Sequence, residues 1–319
     1  MRKYLGILLR PAEVNLHELE KFIEKALKNP FLIDVLPFLY SKITESKIDK
    51  KLNKNLLAEI HKLYNQTVYR NVLFLSEFDR LIQRAQGIPI IPLKGIRMLR
   101  TVYKDIGARE LNDVDVLVKK EDYPEIVKIL KEMGYRKLYS NEGNHESFLG
   151  KVMIEVHWHI VNQKSPFQRL FFRIEPDEIW ENVKKEGDFF IMQPEQELIY
   201  LCNHVLKEGF ASLKWLLDII MFMQKVKIDF NLFKKLTKRY FSTKPVKYTF
   251  YLLKDFTDCN GITEGMIIWE RLILENIGIE NAILKKFLLY ILAMGMKDKL
   301  SLIRRIKDVN FKRLWQMMK

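Results

Sequence analysis

The sequence predicts an α+β fold, in which a small mixed β-sheet lies between a helical N-terminal region and a helical C-terminal region. Apolar residues recur at helix spacing through residues 1–87 and again from Glu195 onwards. Between these regions, at 88–160, short β-branched runs alternate with helical stretches, which is typical of a compact sheet unit. The longest apolar block, at 287–296, has ten residues, about half of the length that crosses a bilayer, so no membrane span is expected.

The N-terminal region, 1–87, is predicted to be entirely helical. Its first amphipathic pattern covers 15–28, where Asn15 is well placed to cap the helix. A second helical pattern runs over 55–86 and stops at Gly87, because glycine readily adopts the left-handed conformation that ends helices.

The central region, 88–165, is predicted to hold the sheet. The run IPIIPL is a short strand, and the turn at Lys94-Gly95 leads into a helical stretch. After the strand DVDVLV comes a helix that Gly134 terminates. The remaining predicted strands lie at 135–139, 146–150 and 151–160.

The C-terminal region, 166–319, is predicted to be helical, with a proline-containing loop at 161–194 as the linker before it. Its charge is strongly positive: residues 225–255 hold nine Lys and Arg against two Asp, and 297–319 hold eight against two. A basic surface of this kind binds RNA or another polyanion, or it is simply a solvated helical surface. Both interpretations stay open.

Cysteine usage and the N-terminal residues indicate the cellular compartment. Cys202 and Cys259 have no partner at metal-ligand spacing, so the sequence predicts two reduced thiols and no zinc site. The first ten residues, MRKYLGILLR, are too short in apolar run for a signal peptide. A cytoplasmic protein is therefore expected.

The clearest chemical signal is a pair of aspartates inside the strand LNDVDVLV. Because side chains alternate along a strand, Asp113 and Asp115 lie on one face, where together they form an oxygen-rich site for a divalent cation. In the strand IEVHWHI, Glu155, His157 and His159 share a face in the same way. If the two strands are neighbours, Glu155 or His157 becomes a third metal ligand or a general base.

Alternatives remain for each of these residues. The two aspartates fit an exposed strand end, and the histidines fit a half-buried strand face. Glu155 fits an ion pair with Arg109 or a lysine.

Three residues upstream are candidates for phosphate contacts. Gly95 lets the backbone approach a ligand closely, and Lys94 adds a mobile positive charge. Arg109 has the geometry for a bidentate phosphate contact, or for a structural ion pair with Glu110 or Asp113. Lys94 fits a solvated loop equally well.

The motifs IPLKG, Gly107-Ala108-Arg109, NDVDVLV, the helix ending in LKEMGY, and IEVHWHI occur in this order. Together they resemble the uncharacterised nucleotidyltransferase family of the polymerase-beta-like superfamily. The segment HVLKEGFASLKWLLDIIMFM, at 204–223, resembles the helices that follow the catalytic unit of that family. Two features depart from the superfamily pattern: Ile96 stands where a serine usually follows the glycine, and the interval from Gly95 to Asp113 is long.

The resemblance implies a nucleotidyltransferase-like core at 88–165 and a Mg²⁺-dependent transfer of a nucleoside monophosphate from an NTP such as ATP. The acceptor is an RNA end, a protein hydroxyl or a small molecule, and pyrophosphate is released. The implied site residues are Asp113, Asp115 and Glu155 for two Mg²⁺ ions, His157 as a further catalytic group, and Lys94, Gly95 and Arg109 for the phosphates.

Two other classes of function remain open from the sequence. One is a catalytically silent nucleotide- or RNA-binding protein with the same fold. The other is an interaction protein whose basic helices dock on RNA or a partner. In the helical segment, His204 and Trp215 are expected to pack in the core, and the role of Asp218 is left open.

Overall fold

The computed structural model describes residues 1–138, 143–257 and 262–293. The N-terminal region is helical, as predicted. The Asn15 side chain accepts a hydrogen bond from the His17 backbone amide and so caps the second helix, and Asn53 caps the fourth helix in the same way. The helices of this region are α1 (Arg2–Leu9), α2 (Leu16–Leu27), α3 (Leu36–Glu45) and α4 (Lys54–Arg84).

A five-stranded mixed sheet follows, in the order β1-β2-β5-β4-β3. Strands β2 and β5 are parallel neighbours, and the other pairs are antiparallel. Val114 and Val116 of β2 are fully buried, as are Ile154 and Val156 of β5, so these alternating positions anchor the sheet in the core. The elements are β1 (Ile91–Pro92), α5 (Lys94–Thr101), β2 (Val114–Leu117), α6 (Tyr123–Glu132), β3 (Arg136–Lys137), β4 (His145–Leu149) and β5 (Met153–His157).

The strand predicted at 151–160 is shorter in the structure and ends at His157. The backbone amides of Trp158 and His159 both turn to the carbonyl of Asn144, so the chain leaves the sheet there. The alternation of apolar residues continues past His157, but alternation alone does not show where a strand stops pairing with its neighbour.

The segment predicted as a loop, 161–194, is instead structured. Pro166 and Pro176 each stand at the first position of a short helix, where proline is favoured because its missing amide has no partner to lose. Gly187, with a φ of +60°, begins the turn of a hairpin. The elements are α7 (Pro166–Phe171), α8 (Pro176–Trp180), β6 (Lys184–Glu186) and β7 (Phe189–Ile191).

The rest of the described chain is helical, as predicted. Buried ion pairs fasten these helices to the sheet unit: Arg97 of α5 bonds Glu197 at 3.1 Å, and Arg109 bonds Asp218 at 2.9 Å. The helices are α9 (Pro194–Lys207), α10 (Leu213–Lys225), α11 (Phe230–Arg239), α12 (Thr243–Leu253), α13 (Ile268–Asn276) and α14 (Ala282–Ala293).

Two of the sequence features lie outside the described residues: Cys259 and the basic segment 297–319. Cys202 is buried in α9. Within the described ranges, no helix combines the length and the apolar character needed to cross a membrane. The domain boundaries at 87 and 165 stay predictions.

Candidate active site

Asp115, Glu155 and His157 lie together on the two parallel strands. Asp115 and Glu155 are register partners, so their side chains project from the same side of the sheet, and His157 follows two positions along β5. His157 Nε2 lies 2.8 Å from Asp115 Oδ1 and 3.6 Å from Glu155 Oε2. One potential ligand atom from each of the three residues lies within 4.8 Å of the others. The strands are thus neighbours, as the sequence interpretation required.

Asp113 lies immediately before β2 and is half-buried beside this group. The negative charge of Asp115, together with burial, raises the pKa of Asp113 to about 7, although Lys94 and Arg109 act in the opposite direction. The cluster therefore holds more carboxylate charge than its own cations balance. Such an excess is what a divalent cation would relieve, and the carboxylate oxygens are the donors that Mg²⁺ prefers.

Lys94 provides the cation closest to the carboxylates. Its Nζ donates a hydrogen bond of 2.8 Å to Asp115 Oδ1. Burial alone would lower the pKa of Lys94, but Asp115 and the other acidic groups around it, Tyr200, Asp113 and Glu155, together outweigh burial and hold this pKa well above its usual value. The backbone φ of Lys94 is +46°, a left-handed conformation that is uncommon for any residue except glycine. The ammonium is thus held at the carboxylates by a strained turn.

Glycine is required at position 95 because the side chain of Arg109 lies very close to the backbone there. A Cβ atom at this position would lie 2.3 Å from Arg109 Nη1 and 2.7 Å from Leu111 Cδ2. Gly95 therefore makes room for the Arg109 guanidinium, and this requirement holds whether or not Gly95 also contacts a ligand.

The guanidinium of Arg109 is buried and bound by Asp218 of α10. Nη2 donates to Asp218 Oδ2 at 2.9 Å and Nε donates to Oδ1 at 3.3 Å, while the Tyr103 hydroxyl also donates to Oδ1 at 3.0 Å. The sequence suggested Glu110 or Asp113 as the alternative ion-pair partner. The partner is instead Asp218, and Glu110 offers only its backbone carbonyl. This finding also gives a role to Asp218, which the sequence left open.

A single cavity of about 410 Å³ brings all seven predicted site residues together. Its opposite wall comes from the C-terminal helices, and most of that wall was not predicted. Six of the wall residues lie in the segment 204–223 that carries the family resemblance, so that segment was the available signal: His204, Leu206, Lys207, Glu208, Lys214 and Trp215. Further lining residues without a local signal include Asn112, Asn144, Asn162, Tyr200, Asn203 and Tyr290.

The histidines around the cavity differ in role. The His145 ring stacks on His157 with centroids 4.6 Å apart, and burial together with the charge of His157 lowers the pKa of His145 to about 4. His204 packs edge-on against Trp215 at 5.0 Å, and burial lowers its pKa to about 3, so it is neutral at pH 7. His159 lies beyond the end of β5, where its Nδ1 accepts a hydrogen bond from the Val161 amide.

Comparison with known proteins identifies the family. Residues 33–258 match the family model described as an uncharacterised nucleotidyltransferase, which is well over half of the chain and includes every candidate site residue. No curated protein matches the chain. A solved structure, the crystal structure of JHP933 from Helicobacter pylori, aligns with 76% of this chain and 97% of that chain at 9% identity. Its TM-score of 0.35 is too low to carry an argument. The chain belongs to the family of uncharacterised nucleotidyltransferases, and its general role is nucleotidyl transfer.

Proposed function

We propose that this protein transfers a nucleoside monophosphate from an NTP to an acceptor hydroxyl in a reaction that depends on Mg²⁺. The oxygen of the acceptor forms a bond to the α-phosphorus, the bond from that phosphorus to the β-phosphate oxygen breaks, and pyrophosphate leaves. The observation that carries this proposal is the group of Asp115, Glu155 and His157 on adjacent parallel strands, inside one cavity. The family membership supports it.

The carboxylates fit divalent cations. Asp113, Asp115 and Glu155 would hold two Mg²⁺ ions, and the raised pKa of Asp113 reports the charge that these ions would balance. When bound, the ions neutralise charge on the triphosphate and on the leaving pyrophosphate. Burial would raise the pKa of Glu155, but His157, whose Nε2 lies 3.6 Å from Oε2, and Lys94 together keep it below its usual value, so Glu155 stays ionised and able to bind a cation at pH 7.

His157 is the residue best placed to take the proton of the acceptor hydroxyl. Its Nε2 is within hydrogen-bond distance of Asp115, whereas its buried Nδ1 has no hydrogen-bond partner among the described residues. In the tautomer that carries its hydrogen on Nδ1, the unshared electron pair is on Nε2, the nitrogen that faces the carboxylates, and can accept a proton there. Asp115 then orients the ring and stabilises the imidazolium that forms.

Cationic side chains on both sides of the cavity suit the triphosphate. Lys94 approaches from the sheet unit, and Lys207 and Lys214 line the wall formed by α9 and α10. Lys214 also contacts Asp34 at 3.5 Å. Arg109, which is fixed by Asp218, adds positive charge behind Gly95 and would orient the phosphates mainly through its field.

The catalytically silent alternative would be favoured by a Glu155 side chain directed away from the aspartates. Glu155 is instead the register partner of Asp115 and lies within the potential ligand group. This position supports the enzymatic interpretation over a binding protein that only retains the fold.

The test uses each α-labelled NTP in turn, with Mg²⁺ and a total cell extract that supplies acceptors. We expect one fraction of the extract to become labelled by the native protein and not by Asp115→Asn. Glu132→Gln, a change at an exposed acidic residue of α6, is the matched control and should label normally. If no NTP binds and no fraction is labelled, the proposed function is wrong.

Mn²⁺ binding and the labelling rate, measured on the same variants, separate the role of Glu155 from that of His157. Glu155→Gln should weaken the binding of Mn²⁺, a spectroscopic substitute for Mg²⁺, in the absence of NTP. His157→Gln should leave Mn²⁺ binding within a few-fold of the native value and reduce the labelling rate by about 10²–10⁴, the usual contribution of a general base. Loss of Mn²⁺ binding in His157→Gln would instead assign this residue to the metal.

A further inference from the structure

An exposed aromatic residue lies next to a cation at the end of α11. The Phe241 side chain is 54% exposed, and the Arg173 guanidinium lies over its ring at 4.4 Å from the centroid. Lys234 and Lys238 are four residues apart and so lie on one face of α11. Phe241 follows just after the end of this helix, where its backbone amide donates a hydrogen bond to the Lys238 carbonyl at 3.1 Å. Arg169 precedes Arg173 by four residues and is also exposed. We refer to these residues, Arg169, Arg173, Lys234, Lys238 and Phe241, as the Phe241 platform.

The exposed position of Phe241 follows from the way α11 ends. Its left-handed φ of +59° belongs to the C-terminal cap of the helix, in which the Phe241 amide bonds the Lys238 carbonyl at 3.1 Å and the Ser242 amide bonds the Thr237 carbonyl at 2.9 Å. The residue itself is 54% exposed. The neighbours on either side, Tyr240 and Ser242, are buried. The helix cap therefore holds an aromatic ring outside the core, with a guanidinium stacked on it.

The charges of the platform are not neutralised by the protein. In the ranges that the structure describes, Arg169, Arg173, Lys234 and Lys238 have no carboxylate within 4.0 Å. The neighbouring Arg239, by contrast, pairs with Glu178 at 3.0 Å. Four unpaired cations around one exposed ring are complementary to a polyanion that also presents flat apolar surfaces.

The platform is joined to the wall of the active-site cavity. Ser242, the residue after Phe241, donates a hydrogen bond from Oγ to the Phe171 carbonyl at 2.9 Å and accepts one from Asn203 Nδ2 at 2.9 Å. Phe171 and Asn203 both line the cavity, as does Phe172, the residue before Arg173. The platform is thus linked to the cavity lining on two segments: Arg173 follows the lining residue Phe172 directly, and Phe241 is connected through the hydrogen bonds of Ser242.

We propose that the Phe241 platform binds single-stranded RNA next to the active-site cavity. Lysine and arginine side chains contact the phosphates, and one base stacks on the Phe241–Arg173 pair. This inference rests on the proposed function in one respect: if the chain transfers nucleotides, the bound RNA presents its terminal hydroxyl as the acceptor. The docking itself is independent of catalysis.

Single-stranded RNA fits the platform better than other polyanions do. Its unpaired bases are free to stack on an aromatic ring or on a guanidinium plane, whereas the bases of a duplex are already stacked on one another. An acidic protein surface would pair with the lysines but would leave the exposed ring of Phe241 without a role.

Fluorescence anisotropy with a labelled 12-nucleotide single-stranded RNA tests the proposal, in the absence of NTP and metal. We expect Phe241→Ala to weaken binding about five-fold or more, the low end of what base stacking on an aromatic side chain contributes. Lys234→Gln combined with Lys238→Gln should reduce the slope of log Kd against log salt concentration by about 1.4, since each phosphate contact on a single strand contributes about 0.7.

The matched control is Lys50→Gln combined with Lys51→Gln, which removes the same charge from exposed positions of the N-terminal region. It should leave both the affinity and the salt slope close to the native values. The proposal is overturned if Phe241→Ala binds as the native protein does, if the Lys50/Lys51 control reduces the slope equally, or if a duplex of the same sequence binds as tightly as the single strand. Circular dichroism of each variant excludes loss of folding as the cause. Because no NTP is present, failure of RNA binding and failure of nucleotidyl transfer are separate results.

Discussion

Removing the carboxylate of Asp218 should destabilise the protein because it leaves a buried charge without its partner. Asp218 is 2% exposed and accepts three hydrogen bonds, two from Arg109 and one from the Tyr103 hydroxyl. Arg109 is itself 6% exposed. In Asp218→Ala, the guanidinium remains buried with only the Glu110 carbonyl as an acceptor.

The expected magnitude follows from the geometry of this pair. Breaking a buried ion pair by removing one partner costs about 3–5 kcal/mol, and the orphaned Tyr103 hydroxyl adds about 1 kcal/mol. We therefore expect Asp218→Ala to lower the free energy of unfolding by about 4–6 kcal/mol. Asp218→Asn keeps the shape and one acceptor oxygen, so it should cost about 2 kcal/mol. Replacing both partners, as Arg109→Met with Asp218→Leu, should cost less than Asp218→Ala alone, because no charge is left buried.

Urea unfolding followed by circular dichroism measures these differences. The control is Asp79→Ala, which removes the partner of Arg100 in an exposed ion pair and should cost less than about 1 kcal/mol. If Asp218→Ala unfolds within about 0.5 kcal/mol of the native protein, the pair does not hold the fold and the reasoning is refuted. A rise in the Kd for NTP without loss of stability would then assign Arg109 to the phosphates.

Three further perturbations test the site and its surroundings. Lys94→Met should raise the affinity for Mn²⁺ in calorimetric titrations without NTP at least about five-fold, because a unit charge this close to a carboxylate is worth on the order of 1–4 kcal/mol; weaker binding would contradict this role. Gly95→Ala should lower the free energy of unfolding by about 1–3 kcal/mol, since its Cβ would meet the Arg109 guanidinium, and the cost should shrink in an Arg109→Ala background. Burial holds the pKa of His159 at about 4 against 6.5 when unfolded, so the unfolded state gains the proton first and stability falls as the pH drops between these values. Over that window His159→Asn, which keeps an acceptor but does not titrate, should lose about 3 kcal/mol less than the native protein in urea unfolding, and an equal loss in both would disprove the linkage.

The half of the site on the sheet was predictable because its signals are local. Strand alternation alone places Asp113 and Asp115 on one side of β2, and the same rule places Glu155 and His157 on one side of β5. Alternation does not predict the order of the strands in the sheet. Asp115, Glu155 and His157 form one group only because β2 and β5 are parallel neighbours. The family resemblance implied that Glu155 joins the two aspartates, but the parallel pairing itself is seen only in the structure.

The other half of the site was not predictable from local pattern, for a physical reason. Whether Lys214 or Tyr200 faces a cavity depends on how α10 and α9 pack against the sheet, and helix periodicity gives the apolar face without its direction in space. Arg109 illustrates the same limit. A phosphate contact and a structural ion pair require the same guanidinium, and only the position of Asp218, 109 residues later in the chain, distinguishes them.

The predicted linker shows how the two halves depend on each other. Proline content suggested a loop at 161–194, but the segment contributes Gln168, Phe171 and Phe172 to the cavity wall. Two buried ion pairs connect the sheet unit to the helices that come after this segment: Arg97 binds Glu197 of α9, and Arg109 binds Asp218 of α10. Separating the sheet from the C-terminal helices would therefore leave two guanidinium groups without carboxylates and open the cavity to water. The metal-ligand geometry on the sheet and the cationic wall on the helices are thus parts of one structure, and the chemistry proposed for the site requires both.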